Sequence, residues 1–279
     1  MTISTSEPQV QAESVTQLAG LASTASATTI SVCNQKGGVG KSTTAVNLGA
    51  YLALSGKRTL VVDLDPQGNA TISCGIKRPR VLGTIYEAVE GKVTLESVVV
   101  KSVVEALDVI PSSIELSNAD LKIAESPDRE TVLKRLFEPL RNRYDIILFD
   151  CPPSLGLLTT NALVASDRVL IPVQCEYLAL EGLHSLMRMV DRVKTGMNPN
   201  LKVVGIVLTM ADFRTTLTQE VAHEVKQFFR DTVLDTSIPR NVRLAESPSF
   251  GRPICLYDPN SSGALAYDNL AKEVMRKIL

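Results

Sequence analysis

Short apolar runs alternate along this chain with longer segments in which apolar residues recur every three or four positions. The apolar runs are Thr29–Cys33, Thr59–Val62, Leu107–Ile110, Asp145–Phe149, Val169–Val173 and Val203–Leu208. They show little polar alternation, which is typical of strands covered on both faces. Helical periodicity separates several of them, for example at Ala179, Leu183, Leu186, Val190 and Val193. The alternation predicts an α/β fold, a mostly parallel, twisted sheet with helices on both faces.

The first 28 residues differ from the rest of the chain. They contain 15 Ser, Thr or Ala residues and no Lys or Arg, so they lack the positive start of a signal peptide. We expect residues 1–28 to be a flexible tail, with a short partner-bound helix at Val15–Leu21 as the alternative. With 44% hydrophobic residues in 279, the remainder can bury one substantial core, and residues 29–279 are expected to form a single domain.

Bulk composition argues against several classes of protein. The formal net charge is −1, so binding to nucleic acid or acidic lipid would depend on a local basic patch. The cysteines form no Cys-x-x-Cys pair, which argues against a zinc site or disulfide framework and fits a reducing compartment. No run of 18 uncharged apolar residues predicts a membrane span. His184 and His223 lie beside apolar helical stripes without a metal-ligand partner, so we interpret them as surface or boundary residues.

A glycine-rich segment follows the first predicted strand and precedes a helical pattern: Lys36, Gly37, Gly38, Val39, Gly40, Lys41, Ser42 and Thr43. Backbone N–H groups in such a loop can surround phosphates, while Lys41 contacts β/γ oxygens and the Ser42 hydroxyl can bind Mg²⁺. One nucleotide already has its lysine in Lys41. We therefore expect Lys36 to reach a nucleotide held by a second subunit; the alternative is a solvated lysine in a turn.

Three carboxylates follow predicted strands. Asp63 and Asp65 close Thr59–Val62, and Asp150 ends Asp145–Phe149. Ligands of parallel α/β sheets bind at the carboxyl ends of strands, so all three are expected at the ligand-binding edge. The two-residue spacing would place Asp63 and Asp65 on one side if the strand continues through them. The alternative is that these carboxylates cap turns or helices.

The segment from Lys36 to Thr43 resembles the deviant P-loop of the ParA/MinD group of ATPases, in which the first lysine crosses an ATP-sandwich dimer. Resemblance to ParA/Soj-type partition ATPases extends over nearly all of residues 29–279, including Val173–Gly182, Leu208–Thr215 and Ile238–Gly251. It implies a P-loop NTPase fold of the deviant Walker A type. It also implies ATP and Mg²⁺ as cofactors, and weak ATP hydrolysis that a partner stimulates.

The same resemblance assigns roles to residues of the site. Lys36, Lys41 and Asp65 are the implied catalytic residues, with Asp65 orienting or deprotonating the attacking water. Asp150 would hold Mg²⁺ through water together with Ser42, and Asp63 would support the metal shell. Adenine contacts are implied near Pro239, Arg240 and Asn241. A GTPase is expected to carry Asn-Lys-x-Asp where this chain reads Thr209–Asp212, which favours adenine.

The resemblance also implies what the ATPase acts upon. Arg214 and Arg243 would hold nonspecific DNA once ATP has formed a homodimer, and a ParB-like centromere-binding protein would stimulate hydrolysis and release. Phosphate contacts give such a sequence-independent, salt-sensitive interaction. The expected location is the cytoplasm, at the nucleoid. Without the resemblance, both arginines would be interpreted as solvated surface residues.

Two other functional classes stay open at this point. A MinD-like membrane-associated ATPase would end in a detachable amphipathic helix, but Ala264–Leu279 follows the domain without a flexible linker. Its stripe of Tyr267, Leu270, Val274 and Ile278 favours a docked helix, and no stable membrane association is expected. A metabolic ligase or reductase on the same fold would require a substrate pocket for which we find no motif. An iron–sulfur cluster that bridges two subunits would need a second cysteine besides Cys151 in the right place, and the sequence offers no second candidate.

Overall fold

The computed structural model describes residues 26–77, 81–177 and 179–278. Within these ranges the strands are β1 (Thr28–Val32), β2 (Thr59–Asp63), β3 (Val100–Lys101), β4 (Leu107–Ile110), β5 (Ile146–Asp150), β6 (Arg168–Gln174), β7 (Lys202–Ala211) and β8 (Val233–Pro239). They form one eight-stranded sheet in the order β3-β4-β2-β5-β1-β6-β7-β8. Every neighbouring pair is parallel except β3 with β4. The predicted mostly parallel sheet is confirmed.

Helices follow most of the strands. The α-helices are α1 (Lys41–Leu54), α2 (Asn69–Ser73), α3 (Ile85–Val89), α4 (Ala119–Ala124), α5 (Val132–Phe137), α6 (Leu157–Ala165), α7 (Ala179–Gly196), α8 (Thr216–Phe229), α9 (Val242–Glu246), α10 (Ile254–Tyr257) and α11 (Ser262–Ile278). Short 3₁₀ turns occur at Leu95–Val98, Ile114–Asn118, Glu138–Leu140, Arg230–Thr232 and Ser247–Phe250. Two clusters of buried apolar residues contain alternate residues of the same strands, such as Leu60 and Val61. The sheet is therefore covered on both faces, as predicted.

The six apolar runs all form strands. The run Leu107–Ile110 has the predicted bounds, whereas β7 extends three residues past Leu208, to Ala211. The sequence interpretation missed β3, which is two residues long, and β8, which mixes Asp235, Thr236 and Ser237 with apolar residues. Polar positions are tolerated in β8 because it is an edge strand of the sheet.

The predicted tail lies mostly outside the described residues, which begin at Ser26. Ala27 is buried, and its N–H donates to the Arg141 carbonyl at 2.7 Å. Strand β1 starts at Thr28, one residue before the predicted run. The division into a tail and a single domain stays a prediction.

The C-terminal helix α11 packs against α1 and β8. Its buried stripe includes Tyr267, Leu270 and Val274, three of the residues expected to face the core. The docked helix favoured by the sequence is therefore what the structure contains. Among the described residues, none of the helices combines the length and the apolar character that crossing a bilayer requires.

Candidate functional site

The glycine-rich loop joins the carboxyl end of β1 to α1 at the centre of the sheet. Gly38 and Gly40 have φ angles of 76° and 87°, in the left-handed region that favours glycine. Helix α1 begins at Lys41, and Gly40 is the residue immediately before it. The loop conformation thus requires glycine at these two positions. It directs the start of α1 toward the ligand-binding edge of the sheet.

A cavity of about 440 Å³, here called the phosphate cavity, opens at this edge. Its lining includes the loop residues Gly37, Gly38, Gly40, Lys41, Ser42 and Thr43. Asp65 from the segment after β2 and Pro153 from the segment after β5 also line it. The structure therefore brings most of the predicted phosphate-binding loop and one predicted catalytic carboxylate to one cavity. Val39 is buried behind the loop, where its carbonyl accepts from the Thr209 hydroxyl at 2.8 Å.

Lys41 is a buried cation at this cavity. Its Nζ donates to the Lys36 carbonyl at 3.1 Å. Burial lowers the pKa of Lys41, and the carboxylates of Asp150 and Asp65 oppose the shift without reversing it. A cation that has lost hydration and faces an open cavity is suited to an anionic ligand such as a phosphate.

Asp150, at the end of β5, is fully buried. Neither of its carboxylate oxygens has a hydrogen-bond partner among the described residues. Burial, followed by the proximity of Asp63, raises the pKa of Asp150 well above its usual range, while Ser42 and Lys41 oppose the rise. A buried carboxylate without a partner beside the Ser42 hydroxyl fits the oxygen donors that Mg²⁺ and its bound waters require. These two residues would hold the ion, which would neutralise charge on the phosphates.

Asp63 differs from Asp150 because its carboxylate is already hydrogen-bonded. One oxygen accepts from the N–H and hydroxyl of Thr71 at 2.7 and 2.6 Å, and the other accepts from the Asp65 N–H at 3.1 Å. Burial raises the pKa of Asp63 to about 6 although these hydrogen bonds lower it. Asp63 thereby fixes the segment that carries Asp65. Its support of a metal shell stays a prediction.

Asp63 and Asp65 would share one side of strand β2 only if the strand continued through both residues, and it does not. Strand β2 ends at Asp63, and Asp65 lies beyond it in a turn. In that turn Asp65 accepts a hydrogen bond from the Gln67 N–H at 3.0 Å and lines the phosphate cavity. Asp65 reaches the site because the chain leaves the sheet after Asp63, not because the strand alternation continues.

Lys36 lies at the half-exposed rim of the loop. Its Nζ forms an ion pair with Glu176 at 2.6 Å, and its N–H donates to Asn34 at 3.0 Å. Gln174, at the end of β6, also hydrogen-bonds Glu176. The sequence analysis assigned no role to Glu176 or Gln174. Their position after the neighbouring parallel strand, at the same sheet edge, was the signal that could have identified them.

A smaller cavity of about 170 Å³, here called the base cavity, adjoins the phosphate cavity. Pro239, Arg240 and Asn241, near which adenine contacts are predicted, line it, and their role in nucleotide binding stays a prediction. The two cavities share lining residues at Gly40, Thr43, Met210, Leu244 and Ala245. A ligand with phosphates and a planar base can therefore span both. Met210 and Tyr267, which also line the base cavity, received no such role from the sequence.

The two arginines predicted to bind DNA follow the last two strands. Arg214 comes after β7 with a 90% exposed side chain, and Arg243 lies in α9 after β8 with 54% exposed. Because β7 and β8 are parallel neighbours, both arginines are placed toward the sheet edge that carries the nucleotide cavities. Acidic neighbours partner them: Arg214 contacts Asp212 at 2.7 Å and Arg243 contacts Glu246 at 2.9 Å.

The histidines and cysteines of the described residues form no second catalytic or metal site. Both histidines are exposed, as predicted. Cys33 Sγ lies 2.9 Å from Cys151 Sγ, a neighbour within the subunit that the sequence did not indicate. Parallel pairing of β1 with β5 brings them together. Both thiols are buried, and among the described residues no group of three or more His, Cys, Asp or Glu side chains could hold a metal.

This chain is similar in sequence to a known protein family and to several characterised proteins. The family model described as an AAA domain matches residues 27–203. The sporulation initiation inhibitor protein Soj of Bacillus subtilis is 54% identical over 245 residues, covering 88% of this chain and 97% of that protein. The chromosome partitioning protein ParA of Myxococcus xanthus is 49% identical, covering 89% of this chain and 88% of that protein.

Solved structures share the fold. The structure of cobyrinic acid a,c-diamide synthase from Mycobacterium smegmatis, with bound ADP and magnesium, is similar with a TM-score of 0.79 and 35% identity. The similarity covers 90% of this chain and 94% of that one. ADP and magnesium in that structure agree with the cofactors expected from the sequence. The extent and level of identity to the Soj and ParA proteins show that the chain belongs to the Soj/ParA family of chromosome-partitioning ATPases.

Proposed function

We propose that this protein is an ATP-dependent DNA-partition ATPase that binds nonspecific DNA as an ATP-bound sandwich dimer. A ParB-like centromere-binding partner stimulates its otherwise weak hydrolysis of ATP to ADP and phosphate, and the dimer then releases DNA. The protein acts in the cytoplasm, at the nucleoid. The proposal depends on one observation. Two adjoining cavities that can hold a nucleotide lie at the same edge of the sheet as exposed arginines.

The nucleotide part of the proposal rests on two buried ionisable groups that lie near each other. Lys41 is buried at the phosphate cavity, and the Asp150 oxygens have no hydrogen-bond partner in the described ranges. MgATP would offer phosphate oxygens to Lys41 and a cation to the Asp150 carboxylate, so the two groups would bind the nucleotide and its metal together. Asp65, which lines the same cavity, is the residue proposed to orient the attacking water.

The dimer part rests on the position of Lys36. Its ammonium points toward Glu176 at the half-exposed rim, while Lys41 already serves the subunit's own phosphate cavity. In the dimer Lys36 exchanges Glu176 for phosphate oxygens of the partner's ATP. An exposed ion pair contributes about 0–1 kcal/mol, so this exchange requires little energy.

The DNA-binding part of the proposal rests on a weak basic patch in each subunit that dimerisation would double. Each subunit offers Arg214 and Arg243, both balanced by nearby carboxylates, and the whole chain carries a net charge of −1. Pairing two subunits doubles the number of phosphates that can be neutralised, and affinity rises steeply with that number. Binding of DNA therefore follows binding of ATP.

Two rival activities are less well supported. A MinD-like membrane ATPase requires its terminal helix to detach, but α11 buries Tyr267 and Leu270 against the domain. A diamide synthase activity is suggested by the solved structure at 35% identity. The relatives named for Soj and ParA are closer in sequence, at 54% and 49%.

The test compares ATP-loaded and ADP-loaded protein on nonspecific DNA and on anionic liposomes across a salt series. We expect DNA binding with ATP only, a steep decrease with salt and no retention on liposomes. Retention on liposomes with ATP would support the membrane rival instead.

A charge-reversal variant locates the DNA surface. Arg214→Glu together with Arg243→Glu should abolish retention on DNA while ATP-dependent dimerisation persists. The matched control replaces Arg129 and Arg135 with Glu, because both are exposed, ion-paired arginines near α5 that line neither nucleotide cavity. DNA affinity that survives the first change, or that disappears equally with the control, would show that the assigned patch is misplaced.

A further inference from the structure

Met210 adopts a backbone conformation that is unusual for its residue type. Its φ angle is +50°, in the left-handed region that methionine rarely occupies. Ala106 and Arg230 are the other described non-glycine residues with positive φ, and they lie outside regular strands. Met210 instead lies within β7, one residue before the strand ends.

The conformation results from an extra residue in β7. The strand advances three residues from Leu208 to Ala211 while β8 advances two, from Ser237 to Pro239. One residue of β7 is therefore unpaired, as in a β-bulge. Thr209 fixes the position of the bulge, because its hydroxyl donates to the Val39 carbonyl of the glycine-rich loop at 2.8 Å. The loop and the sheet together hold Met210 in the less favourable conformation.

The bulge places Met210 at the boundary between the two cavities. It lines both the phosphate cavity and the base cavity, and it is half-buried. A ligand that spans the cavities must pass this residue. The thioether of methionine is polarisable and forms favourable contacts with aromatic rings, which include the face of a purine.

The chemistry of the base cavity favours recognition of a ring face. The described residues that line it include no Asp or Glu, so no carboxylate is available to accept the N1 and N2 donors of guanine. Apolar contributions come from Met210, Ile238, Pro239 and Leu244. A planar, largely apolar contact is thus what the cavity can offer to adenine.

We propose that Met210 is a base-contacting residue whose left-handed backbone holds its thioether against the adenine ring of bound ATP. This inference rests on the proposed ATP site and deepens it. Met210 contributes to affinity for the base and not for the triphosphate, which the glycine-rich loop and Lys41 bind. The residue is therefore a determinant of nucleotide affinity that acts separately from the phosphate contacts.

The test measures binding of MgATP and of inorganic tripolyphosphate with Mg²⁺ to the full chain by calorimetry. Met210→Ala should weaken ATP binding about tenfold, equivalent to ~1.4 kcal/mol, while changing tripolyphosphate binding less than about twofold. Met210→Leu, which keeps the apolar contact, should retain most of the ATP affinity. Met210→Gly relieves the backbone conformation but removes the contact, so it should behave like the alanine variant.

Two outcomes would overturn the proposal. ATP affinity that is unchanged in Met210→Ala or Met210→Gly would show that the side chain does not contact the base. An equal loss for ATP and tripolyphosphate would show that Met210 supports the phosphate loop instead. Thermal unfolding without ligand checks that each variant is folded, and a variant that unfolds is replaced by Met210→Leu and Met210→Gln at the same position.

Lys41→Ala separates failure of this inference from failure of the proposed function. It should abolish binding of both ligands if the phosphate cavity is correctly assigned. Binding of both that persists in Lys41→Ala would place the nucleotide elsewhere and would overturn the Met210 proposal and the nucleotide site together. DNA retention by ATP-loaded protein can fail while the Met210 result holds, because the calorimetric test contains no DNA.

Discussion

Lys36 and Lys41 are five positions apart but lie in different environments, which suit the two lysines to different roles. Lys41 is buried at the phosphate cavity with a lowered pKa, because burial removes hydration from its ammonium group. Lys36 keeps 38% of its side chain exposed and pairs with Glu176. We therefore propose that Lys41 binds the subunit's own nucleotide, whereas Lys36 exchanges its surface ion pair when a second subunit approaches.

Lys36→Ala is expected to bind ATP normally through Lys41 but to fail in ATP-dependent dimerisation and in stimulated hydrolysis. Nucleotide affinity and sedimentation in ATP measure the two effects separately. Lys122→Ala is the matched control, because Lys122 is an exposed lysine paired with Glu125. A Lys36→Ala protein that dimerises and hydrolyses like the control would reduce Lys36 to an ordinary loop residue.

Asp65→Ala is expected to bind ATP and dimerise, with hydrolysis reduced at least about a hundredfold if Asp65 acts on the attacking water. Asp65→Asn serves as a comparison, since its amide oxygen can still accept from the Gln67 N–H. Both variants should accumulate as ATP-bound dimers in single-turnover measurements. Full hydrolysis by the asparagine variant would show that Asp65 positions its turn and does not act as a base.

Asp150→Asn is expected to stabilise the nucleotide-free protein by about 1–3 kcal/mol and to weaken its response to magnesium. The physical reason is that a buried carboxylate, whose oxygens have no hydrogen-bond partner in the described part of the chain, is replaced by a neutral amide. Urea unfolding measures the first effect, and the Mg²⁺ dependence of the melting temperature in ATP measures the second. A less stable variant with an unchanged magnesium response would argue against Asp150 as a metal ligand.

At the scale of elements, β8 shows how an edge strand is kept from exposing its backbone. Glu273, buried in α11, accepts hydrogen bonds from the N–H groups of Asp235 and Thr236 at 2.8 and 2.9 Å. The helix thereby covers donors that could otherwise pair with another strand. Packing of α11 is thus coupled to the strand that leads to the base cavity.

Glu273→Ala is expected to lower the free energy of unfolding at neutral pH by about 2–3 kcal/mol, because two backbone donors lose a charged acceptor. Burial opposes ionisation of Glu273, but these hydrogen bonds outweigh it and lower its pKa. A lowered folded-state pKa means that the carboxylate stabilises the fold above the ordinary Glu pKa of about 4.3. That stability is lost as the pH falls through the lowered value.

Urea unfolding at several pH values checks this linkage. The difference between the natural protein and Glu273→Ala should be largest near neutral pH and should shrink in acid. Glu273→Gln is the control, because it keeps an oxygen acceptor but does not titrate. A difference that is independent of pH would show that Glu273 stabilises α11 through packing alone.

At the scale of the whole molecule, a nearly neutral chain needs a local basic patch to bind DNA, and the proposed dimer would double that patch. Replacing Arg214 and Arg243 by Ala removes four arginines from a dimer. Each phosphate contact contributes about 0.9 to the slope of log affinity against log salt, so the slope should become shallower by about 3.6. Binding to nonspecific DNA across a salt series in ATP measures it. A slope that is unchanged would mean that other residues contact the phosphates.

The sequence by itself determined six strands of the sheet and the position of the glycine-rich loop. Both depend on local patterns: buried strands require continuous apolar runs such as residues 146–149, and the conformation of the loop requires glycine at Gly38 and Gly40. The carboxylates were found because they immediately follow strands. The roles of the adenine segment and of Arg214 and Arg243 came from the family resemblance.

Only the tertiary structure decided the contacts between residues that are distant in the chain. Glu176 lies 140 positions from Lys36, and no local pattern links them. The bulge at Met210 depends on how β7 pairs with β8 and on the hydrogen bond between Thr209 and the phosphate loop. Asp63 and Asp150 both end strands, but only their packing leaves one fully hydrogen-bonded and the other without a partner in the described chain. Sequence periodicity specifies which face of an element is buried, whereas burial of a particular charge depends on everything packed around it.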